Sequence, residues 1–189
     1  VANVSLQIRA GQTLGLVGES GSGKSTLGRA ILKLLPITQG KINFDGQAIQ
    51  DLSTSAMRPM RRQMQMVFQD PSLNPRQRAG DMLNEVLDVH QLHKGEQRQA
   101  RIHELLTLVG LKAEHVTRFP HEFSGGQKQR LGIARALATE SKFIVADEPL
   151  SALDMSIQAQ IVNLLIRLKS QLGLTLLFIS HDQIGRAHV

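Results

Sequence analysis

A glycine-rich stretch near the beginning of the chain has the residue types and spacing of a phosphate-binding loop. The sequence G-E-S-G-S-G-K-S-T at residues 18–26 fits the pattern G-x-x-x-x-G-K-[ST]. Glycines would let backbone N–H groups point at phosphate oxygens, Lys24 would reach the β- and γ-phosphates, and Ser25 would ligate Mg²⁺. A plain glycine-rich turn is the alternative. The predicted nucleotide-binding residues are Gly18, Glu19, Ser20, Gly21, Ser22, Gly23, Lys24, Ser25 and Thr26.

Two adjacent carboxylates, Asp147 and Glu148, follow a short apolar run and could complete a hydrolytic site. Ligands gather at the carboxyl ends of strands in open parallel sheets, and a phosphate-bound Mg²⁺ takes carboxylate ligands. We expect Asp147 to hold the metal, directly or through water, and Glu148 to orient and deprotonate the attacking water. The alternative is that both acids only solvate a strand end before a turn.

A second glycine-rich helix start, F-S-G-G-Q-K-Q-R at residues 123–130, offers half of another anion site. Ser124 suits an N-cap, and Gly125 and Gly126 leave the backbone bare at a helix N-terminus. Because no lysine stands at the phosphate-loop position, this segment alone should hold a triphosphate poorly. We expect a second copy to complete the site, with Ser124 closing over the γ-phosphate held by Lys24 of that copy. An ordinary capped helix is the alternative.

Hydrophobic periodicity predicts the elements that position these residues. Short apolar runs at residues 13–17, 143–146 and 174–179 predict strands buried on both faces of a parallel sheet. Residues 71–138 lack strand signals and predict a helical insertion, with helices around 81–89, 96–109 and 128–138. The fold class is therefore α/β with an α-rich arm. Two apolar stripes predict helices lying on the sheet: Leu27, Ala30, Ile31, Leu34 and Leu35, and Ile157, Ile161, Leu164, Leu165, Leu168 and Leu172.

Length and composition limit the classes of protein that this sequence can represent. The 189 residues suit one domain, and the absence of cysteine excludes disulfides and thiolate metal sites. A net charge of +6 permits contact with nucleic acid or an anionic membrane without requiring either. No apolar run is long enough for a membrane span, and no signal-peptide pattern is present, so we expect a cytosolic chain.

Six motifs in order make the chain resemble the ATP-binding subunits of ATP-binding cassette (ABC) transporters, over residues 1–182. Besides the phosphate loop, F-S-G-G-Q at 123–127 resembles the signature motif, and V-F-Q-D at 67–70 resembles the Q-loop. F-I-V-A-D-E-P at 143–149 resembles the Walker B segment, S-A-L-D at 151–154 the D-loop, and I-S-H-D at 179–182 the switch histidine. The resemblance implies a P-loop NTPase core with a mostly parallel sheet and an inserted α-helical subdomain.

The resemblance also implies roles for individual residues. Gln69 would sense metal and water and relay motion to a membrane subunit, Asp154 would lie at the dimer seam, and His181 would contact the γ-phosphate and position the water. The alternatives without a catalytic role are that Gln69 is a hydrogen-bonding loop residue, that Asp154 lies in the acidic first turn of a helix, and that His181 is structural. The implied cofactors are ATP and Mg²⁺. The implied residues are Glu148, His181 and Gln69 for catalysis, Ser25, Gln69 and Asp147 for the metal, and Ser124, Gly125, Gly126, Gln127 and Asp154 for nucleotide across the dimer.

Two longer segments point to a subfamily. S-L-N-P-R at 72–76 and the run at 147–160 are similar to ATPase subunits of bacterial peptide and nickel importers. This implies import of small peptides or related solutes by a homodimer, or a heterodimer with a related ATPase subunit. Transmembrane permease subunits would bind it at the cytoplasmic face of the inner (plasma) membrane, as a peripheral protein, and no nucleic-acid partner is expected. The alternatives are a soluble ABC ATPase acting on nucleic acid or ribosomes, and another P-loop enzyme such as a kinase or GTPase.

The two ends of the chain depart from the family pattern. Family members usually carry an aromatic residue upstream of the first strand that stacks on adenine, whereas this chain has no Tyr or Trp. The last six residues, I-G-R-A-H-V at 184–189, back-translate to ATCGGAAGAGCACACGTC, a common sequencing adapter, and we interpret them as an artefact. A genuine short tail is the alternative. We therefore expect an ABC ATPase domain over residues 1–183, truncated at both ends and impaired as an enzyme.

Overall fold

The computed structural model describes residue 1 and residues 3–181, and a parallel sheet lies at its centre. The strands are β1 (Thr13–Val17), β2 (Asn43–Phe44), β3 (Gln47–Ala48), β4 (Met64–Val67), β5 (Phe143–Asp147) and β6 (Thr175–Ser180). Four of them form the sheet in the order β1-β6-β5-β4, and every neighbouring pair is parallel. Val17 pairs with Ser180, and Asp147 pairs with Ile179, so the carboxyl ends of β1, β5 and β6 meet at one edge.

Helices cover both faces of β5 and β6, as their unbroken apolar runs predict. The prediction of burial on both faces is wrong for β1, which lies at the edge of the sheet and is only partly buried. The helices are α1 (Lys24–Ile31), α2 (Met57–Gln63), α3 (Ala79–Val89), α4 (Gly95–Leu108), α5 (Gly125–Leu137) and α6 (Met155–Leu172). Ile144 and Phe178 contribute to a core shared with α3, α4, α5 and α6, whereas Val145 and Leu177 contribute to a second core with residues of α1 and α2. Because successive strand residues point to opposite faces, β5 and β6 stabilise both layers.

The segment at residues 71–138 contains α3, α4, α5 and two short 3₁₀ helices, Ala113–Thr117 and Pro120–Glu122. All of its regular secondary structure is helical, which confirms the sequence-based expectation of helices here. The three helices pack on one another, and α5 also contacts α6 and β4. The division of the chain into a domain at 1–183 and a separate tail remains a prediction.

The end of α1 differs from the prediction. The apolar stripe predicts a helix that includes Leu34 and Leu35, but α1 ends at Ile31. Lys33 adopts a left-handed conformation with φ of 52°, and the Leu34 N–H donates to the carbonyl of Arg29 at 2.9 Å. Leu34 and Leu35 are consequently 47% and 37% exposed. A left-handed C-terminal residue followed by Pro36 stops the helix although the apolar pattern continues.

Three short strands, β2, β3 and β4, were not predicted, and neither was the short helix α2. The β2–β3 hairpin turns at Asp45 and Gly46, whose φ angles of 50° and 83° suit a two-residue turn with both residues left-handed. Its D-G dipeptide is a signal that could have revealed it. The strand β4 has only four residues and one of them is Gln65, so its identity depends on pairing with β5.

The boundaries of the described region affect two interpretations. Asp182 of the I-S-H-D segment and the I-G-R-A-H-V residues at 184–189 lie outside the described residues. Within the described part of the chain, no helix combines the length and apolar character that a membrane crossing requires.

Candidate functional site

The phosphate-loop sequence connects β1 to α1, as its motif requires. It leaves the sheet at Val17 and enters the helix at Lys24. Gly21 and Gly23 have φ angles of 80° and 92°, a left-handed region where other residues are strained. Gly23 occupies the N-cap position of α1 without a side-chain cap, so the first N–H groups of the helix have no partner from a capping side chain. The loop is therefore built to offer backbone donors to an anion.

Lys24 is folded over this loop and is only 7% exposed. Its Nζ donates to the carbonyl oxygens of Gly18 and Glu19, each at 2.7 Å, and lies 3.4 Å from Oγ of Ser22. The ammonium is a strong donor, and in this arrangement it stabilises the curled backbone of the loop. The role of Lys24 in binding the β- and γ-phosphates stays a prediction.

Ser25 and Asp147 are brought together from opposite ends of the sequence. The Ser25 hydroxyl donates to Oδ1 of Asp147 at 2.6 Å, and the Asp147 side chain is only 5% exposed. The pair lies at the carboxyl edge because β1, which leads to Ser25, and β5, which ends at Asp147, both flank β6. A hydroxyl and a buried carboxylate are oxygen ligands of the kind that Mg²⁺ prefers, so these two residues fit that metal.

Glu148 and His181 form the second pair at this edge. His181 Nδ1 lies 3.2 Å from Oε2 of Glu148, and the Glu148 N–H donates to the carbonyl of Ile179 at 3.0 Å. Glu148 has a φ of 47°, which is strained for a residue with a Cβ and costs on the order of 1 kcal/mol or more. The hydrogen bond from the Glu148 N–H to Ile179 of β6 stabilises this conformation, in which the carboxylate lies next to His181.

Gln69 lies in the exposed segment that follows β4, and its side chain makes no hydrogen bond within the described region. The segment itself is held by α5 on both sides of Gln69. Gln129, only 2% exposed, donates from Nε2 to the carbonyl of Phe68 at 3.1 Å, and Arg135 donates to the carbonyl of Pro71 at 3.0 Å. Among the described residues, no hydrogen bond joins Gln69 to Asp147 or Glu148, although α5 fixes the backbone around Gln69.

Gln129 is a site-supporting residue that sequence reasoning did not single out. It lies on the buried face of α5, together with Gly126, Ile133 and Ala136. A polar residue in an otherwise apolar helical stripe must find a hydrogen-bond partner when it is buried. That mismatch between pattern and polarity is the signal that could have identified it.

The second glycine-rich segment begins α5 with Ser124 at the N-cap. The Ser124 hydroxyl accepts from the Gln127 N–H at 3.3 Å, and the Gln127 side-chain oxygen accepts from the Ser124 N–H at 3.0 Å. Of the paired glycines, Gly125 is exposed but Gly126 is buried, and a methyl group on Gly126 would lie 2.5 Å from Cγ2 of Ile157. The expectation that both glycines leave bare backbone therefore holds for Gly125 only, because Gly126 packs against α6.

Asp154 occupies the N-cap position of α6, is exposed, and makes no side-chain cap hydrogen bond. It lies beside the start of α5, because Leu153 approaches Gly125 and Ile157 contacts Gly126. The two segments that the ABC resemblance assigns to a dimer seam are therefore neighbours. No hydrogen bond joins residues 124–127 to residues 18–26 within the described chain, so the second glycine-rich helix start does not complete the phosphate loop of its own molecule.

One buried titratable group lies under the start of α5. His115 is 5% exposed, and its ring meets Phe123 edge to face with centroids 5.5 Å apart. Burial, followed by the charge of Arg118, lowers the pKa of His115, and its Nδ1 has no hydrogen-bond partner among the described residues. A neutral imidazole is thus packed directly beneath the residue that precedes Ser124.

Several known proteins are similar in sequence to this chain. A family model described as ABC transporter matches residues 1–151. The oligopeptide transport ATP-binding protein OppF of Streptococcus mutans is 57% identical over 185 residues, which cover 96% of this chain and 60% of that protein. The dipeptide transport ATP-binding protein DppF of Lactococcus lactis is 58% identical over 187 residues, with coverages of 96% and 60%. The chain spans about 60% of the length of these curated relatives.

A solved structure shares the fold. The ATP-binding cassette MJ0796, in a dimeric post-hydrolysis state bound to ADP and Pi, superposes with a TM-score of 0.84 at 34% identity. The match covers 95% of this chain and 79% of that cassette. Both the sequence-based resemblance and the predicted fold class are confirmed. Because the family model spans most of the chain and the sheet and helices overlay on such a cassette, this protein belongs to the ABC transporter family, as an ATP-binding cassette.

Proposed function

We propose that this chain is the ATP-hydrolysing part of an ABC importer for small peptides or related solutes. The observation that carries the proposal is the convergence of Ser25, Asp147, Glu148 and His181 at one sheet edge beside the phosphate loop. The relatives named for oligopeptide and dipeptide transport support peptides as the solute class and favour transport over action on nucleic acid.

Nucleotide binding uses the loop and the first turn of α1. Lys24 exchanges its two carbonyl acceptors for β- and γ-phosphate oxygens, and the N–H groups of residues 23–25 donate to the phosphates. Ser25 and Asp147 would hold Mg²⁺, which neutralises charge on the phosphate oxygens when bound. Glu19, Ser20, Ser22 and Thr26 shape the loop around the same anion.

Hydrolysis uses the Glu148–His181 pair. The Glu148 carboxylate orients a water molecule and accepts its proton as the water oxygen attacks the γ-phosphorus. The bond from that phosphorus to the β–γ bridging oxygen breaks, so ADP leaves and inorganic phosphate is formed. His181, 3.2 Å from that carboxylate, keeps it in place and reaches the γ-phosphate with its other ring nitrogen. Gln69 enters this site by movement of the segment between Phe68 and Pro71, which α5 holds at both ends.

A second ATPase subunit supplies the remaining donors. Ser124, Gly125 and Gln127 present an exposed helix N-terminus that is not used by the phosphate loop of the same chain. Two copies, or this chain and a related subunit, each close that terminus over the other's γ-phosphate, with Asp154 at the seam. The dimeric cassette that shares the fold supports this arrangement.

The permease subunits bind on a groove next to the Gln69 segment. The groove has a volume of about 1140 Å³ and lies between α2, β4 and the ends of α1 and α3. Leu34 and Val89 expose apolar surface there, and Arg58 and Arg61 line it with positive charge. The protein is therefore proposed to be peripheral, at the cytoplasmic face of the inner membrane, held by its permease.

Light scattering on the Glu148→Gln variant tests the central claim. This variant should bind ATP with Mg²⁺ without hydrolysing it, and its mass should change from monomer to dimer. A further Ser124→Arg change should abolish the dimer, whereas Ser170→Arg on the exposed side of α6 adds the same charge and should not. A mass that stays monomeric at saturating ATP would refute the shared-site proposal.

A further inference from the structure

Asp147 is the most buried carboxylate at the site, and each of its oxygens has a different partner. Oδ1 accepts from the Ser25 hydroxyl at 2.6 Å, and Oδ2 lies 3.7 Å from Nη2 of Arg29. The Asp147 side chain is 5% exposed, whereas that of Arg29 is 47% exposed. A charge removed from water needs a compensating partner, and Arg29 is the cation that the described structure provides.

The position of Arg29 follows from the packing of α1. Ser25 and Arg29 are four residues apart on one helix and so share a face. Gly28, between them, lets the helix approach the sheet, since a methyl group there would lie 2.9 Å from both Ile179 Cδ1 and Val145 Cγ1. Close contact of α1 with β5 and β6 therefore brings the hydroxyl and the guanidinium to the same carboxylate.

We propose that Arg29 is a resident counter-cation of Asp147, a positioning residue with which Mg²⁺ must compete. This inference rests on the proposed ATPase function. A divalent ion held by Ser25 and Asp147 would supply the positive charge that Arg29 supplies when no ion is bound. The ion and the guanidinium are both cations and repel each other. At 3.7 Å the contact is an ion pair longer than a hydrogen bond, and the guanidinium is already half in solvent. Arg29 can thus withdraw with little rearrangement.

The first consequence is a change in the Mg²⁺ requirement. Removing the positive charge leaves Asp147 free for the metal, so Arg29→Gln should lower the Mg²⁺ concentration that gives half-maximal binding of a fluorescent ATP analogue. We expect a decrease of about two- to fivefold, the size that one partly exposed ion pair supports. Arg29→Ala, which keeps a good helix former at the site, should show the same shift, and Arg29→Lys should remain within twofold of the wild type.

The second consequence concerns the protein without nucleotide. In EDTA, both charge-removing variants should unfold at a lower temperature than the wild type, because Asp147 has lost its cation. Saturating Mg²⁺ with the ATP analogue should remove most of this difference. Arg62→Gln is the matched control, since Arg62 is 42% exposed and pairs with Glu140 at 3.1 Å, away from the sheet edge. It should leave the Mg²⁺ midpoint unchanged.

The outcomes separate this inference from the proposed function. In one outcome, the wild type binds the analogue and the charge-removing variants have Mg²⁺ midpoints within twofold of the wild-type value. This outcome overturns the proposed role of Arg29 and leaves the proposed function standing. A wild type that binds no ATP analogue refutes the proposed function and this inference with it. All variants are compared at one nucleotide concentration, so that binding of Mg²⁺ to free nucleotide is common to them.

Discussion

Replacing Gly126 by alanine tests why glycine occupies this position: because α6 packs closely against it, or because a phosphate must approach its backbone. A methyl group there would lie 2.5 Å from Ile157 Cγ2, whereas carbon atoms in contact are usually about 3.5–4.0 Å apart. Overpacking of this kind costs about 1–3 kcal/mol. The change from glycine to alanine recovers up to about 1 kcal/mol of helix propensity. We therefore expect Gly126→Ala to reduce the free energy of unfolding by about 1–2 kcal/mol.

Gly125→Ala is the matched control for this prediction. A methyl group on Gly125 would lie 3.4 Å from Leu153 Cδ2, and Gly125 is exposed. The gain in helix propensity applies to Gly125→Ala as well, so this variant should be as stable as the wild type or more stable by up to about 1 kcal/mol. Urea denaturation followed by circular dichroism measures both variants, and Gly126→Ala should also melt about 2–8 °C lower.

A double-mutant cycle with Ile157→Ala identifies the clash directly. Removing Cγ2 of Ile157 makes room for the new methyl group, so the double variant should lose less stability than the sum of the single variants. The expected interaction energy is at least about 1 kcal/mol. Additive losses, or a Gly126→Ala variant as stable as Gly125→Ala, would refute the packing explanation for this position.

Two other predictions follow from groups buried near the site. Gln129→Leu leaves the Phe68 carbonyl without its donor, so amide exchange at residues 68–70 should accelerate and stability should fall by about 1–3 kcal/mol. Unchanged exchange at these residues would contradict a role of Gln129 in holding this segment. Burial, aided by Arg118, lowers the pKa of His115 in the folded state. The unfolded chain binds this proton more readily, so stability should fall as pH drops below about 6.5 until the folded pKa is reached. His115→Leu should reduce that slope in urea titrations, and an unchanged slope would rule out His115 as its source.

Strong local signals account for the part of the site that could be predicted. The run at 13–17 predicted β1 with its observed bounds, and the segment after it carries the phosphate loop. Ser124 was predicted as an N-cap because a hydroxyl before a helix satisfies free N–H groups, and the reciprocal bond from Gln127 adds to it. Such features depend on residues a few positions apart, which a sequence displays directly.

Long-range contacts account for the part that could not be predicted. The Arg29–Asp147 ion pair joins α1 to the end of β5, and no feature of either sequence segment predicts this contact. Gln129 was overlooked because its partner, a backbone carbonyl at Phe68, has no sequence signature. The strand β4 likewise becomes regular only by pairing with β5, since it has few residues and Gln65 interrupts its apolar pattern.

The glycines of the two glycine-rich motifs, residues 18–26 and 123–127, are present for different physical reasons, and this limits what a motif match can establish. Gly23 needs its left-handed φ of 92°, so any side chain there would strain the backbone. Gly126 has no such angle and is instead fixed by the distance to Ile157, while Gly28 is fixed by the distance from α1 to the sheet. Among the described glycines of the two motifs, Gly125 alone combines an ordinary backbone with exposure and room for a methyl group. If a substitution at Gly125 impairs dimer formation while stability is retained, the cause must lie in contacts outside its own chain.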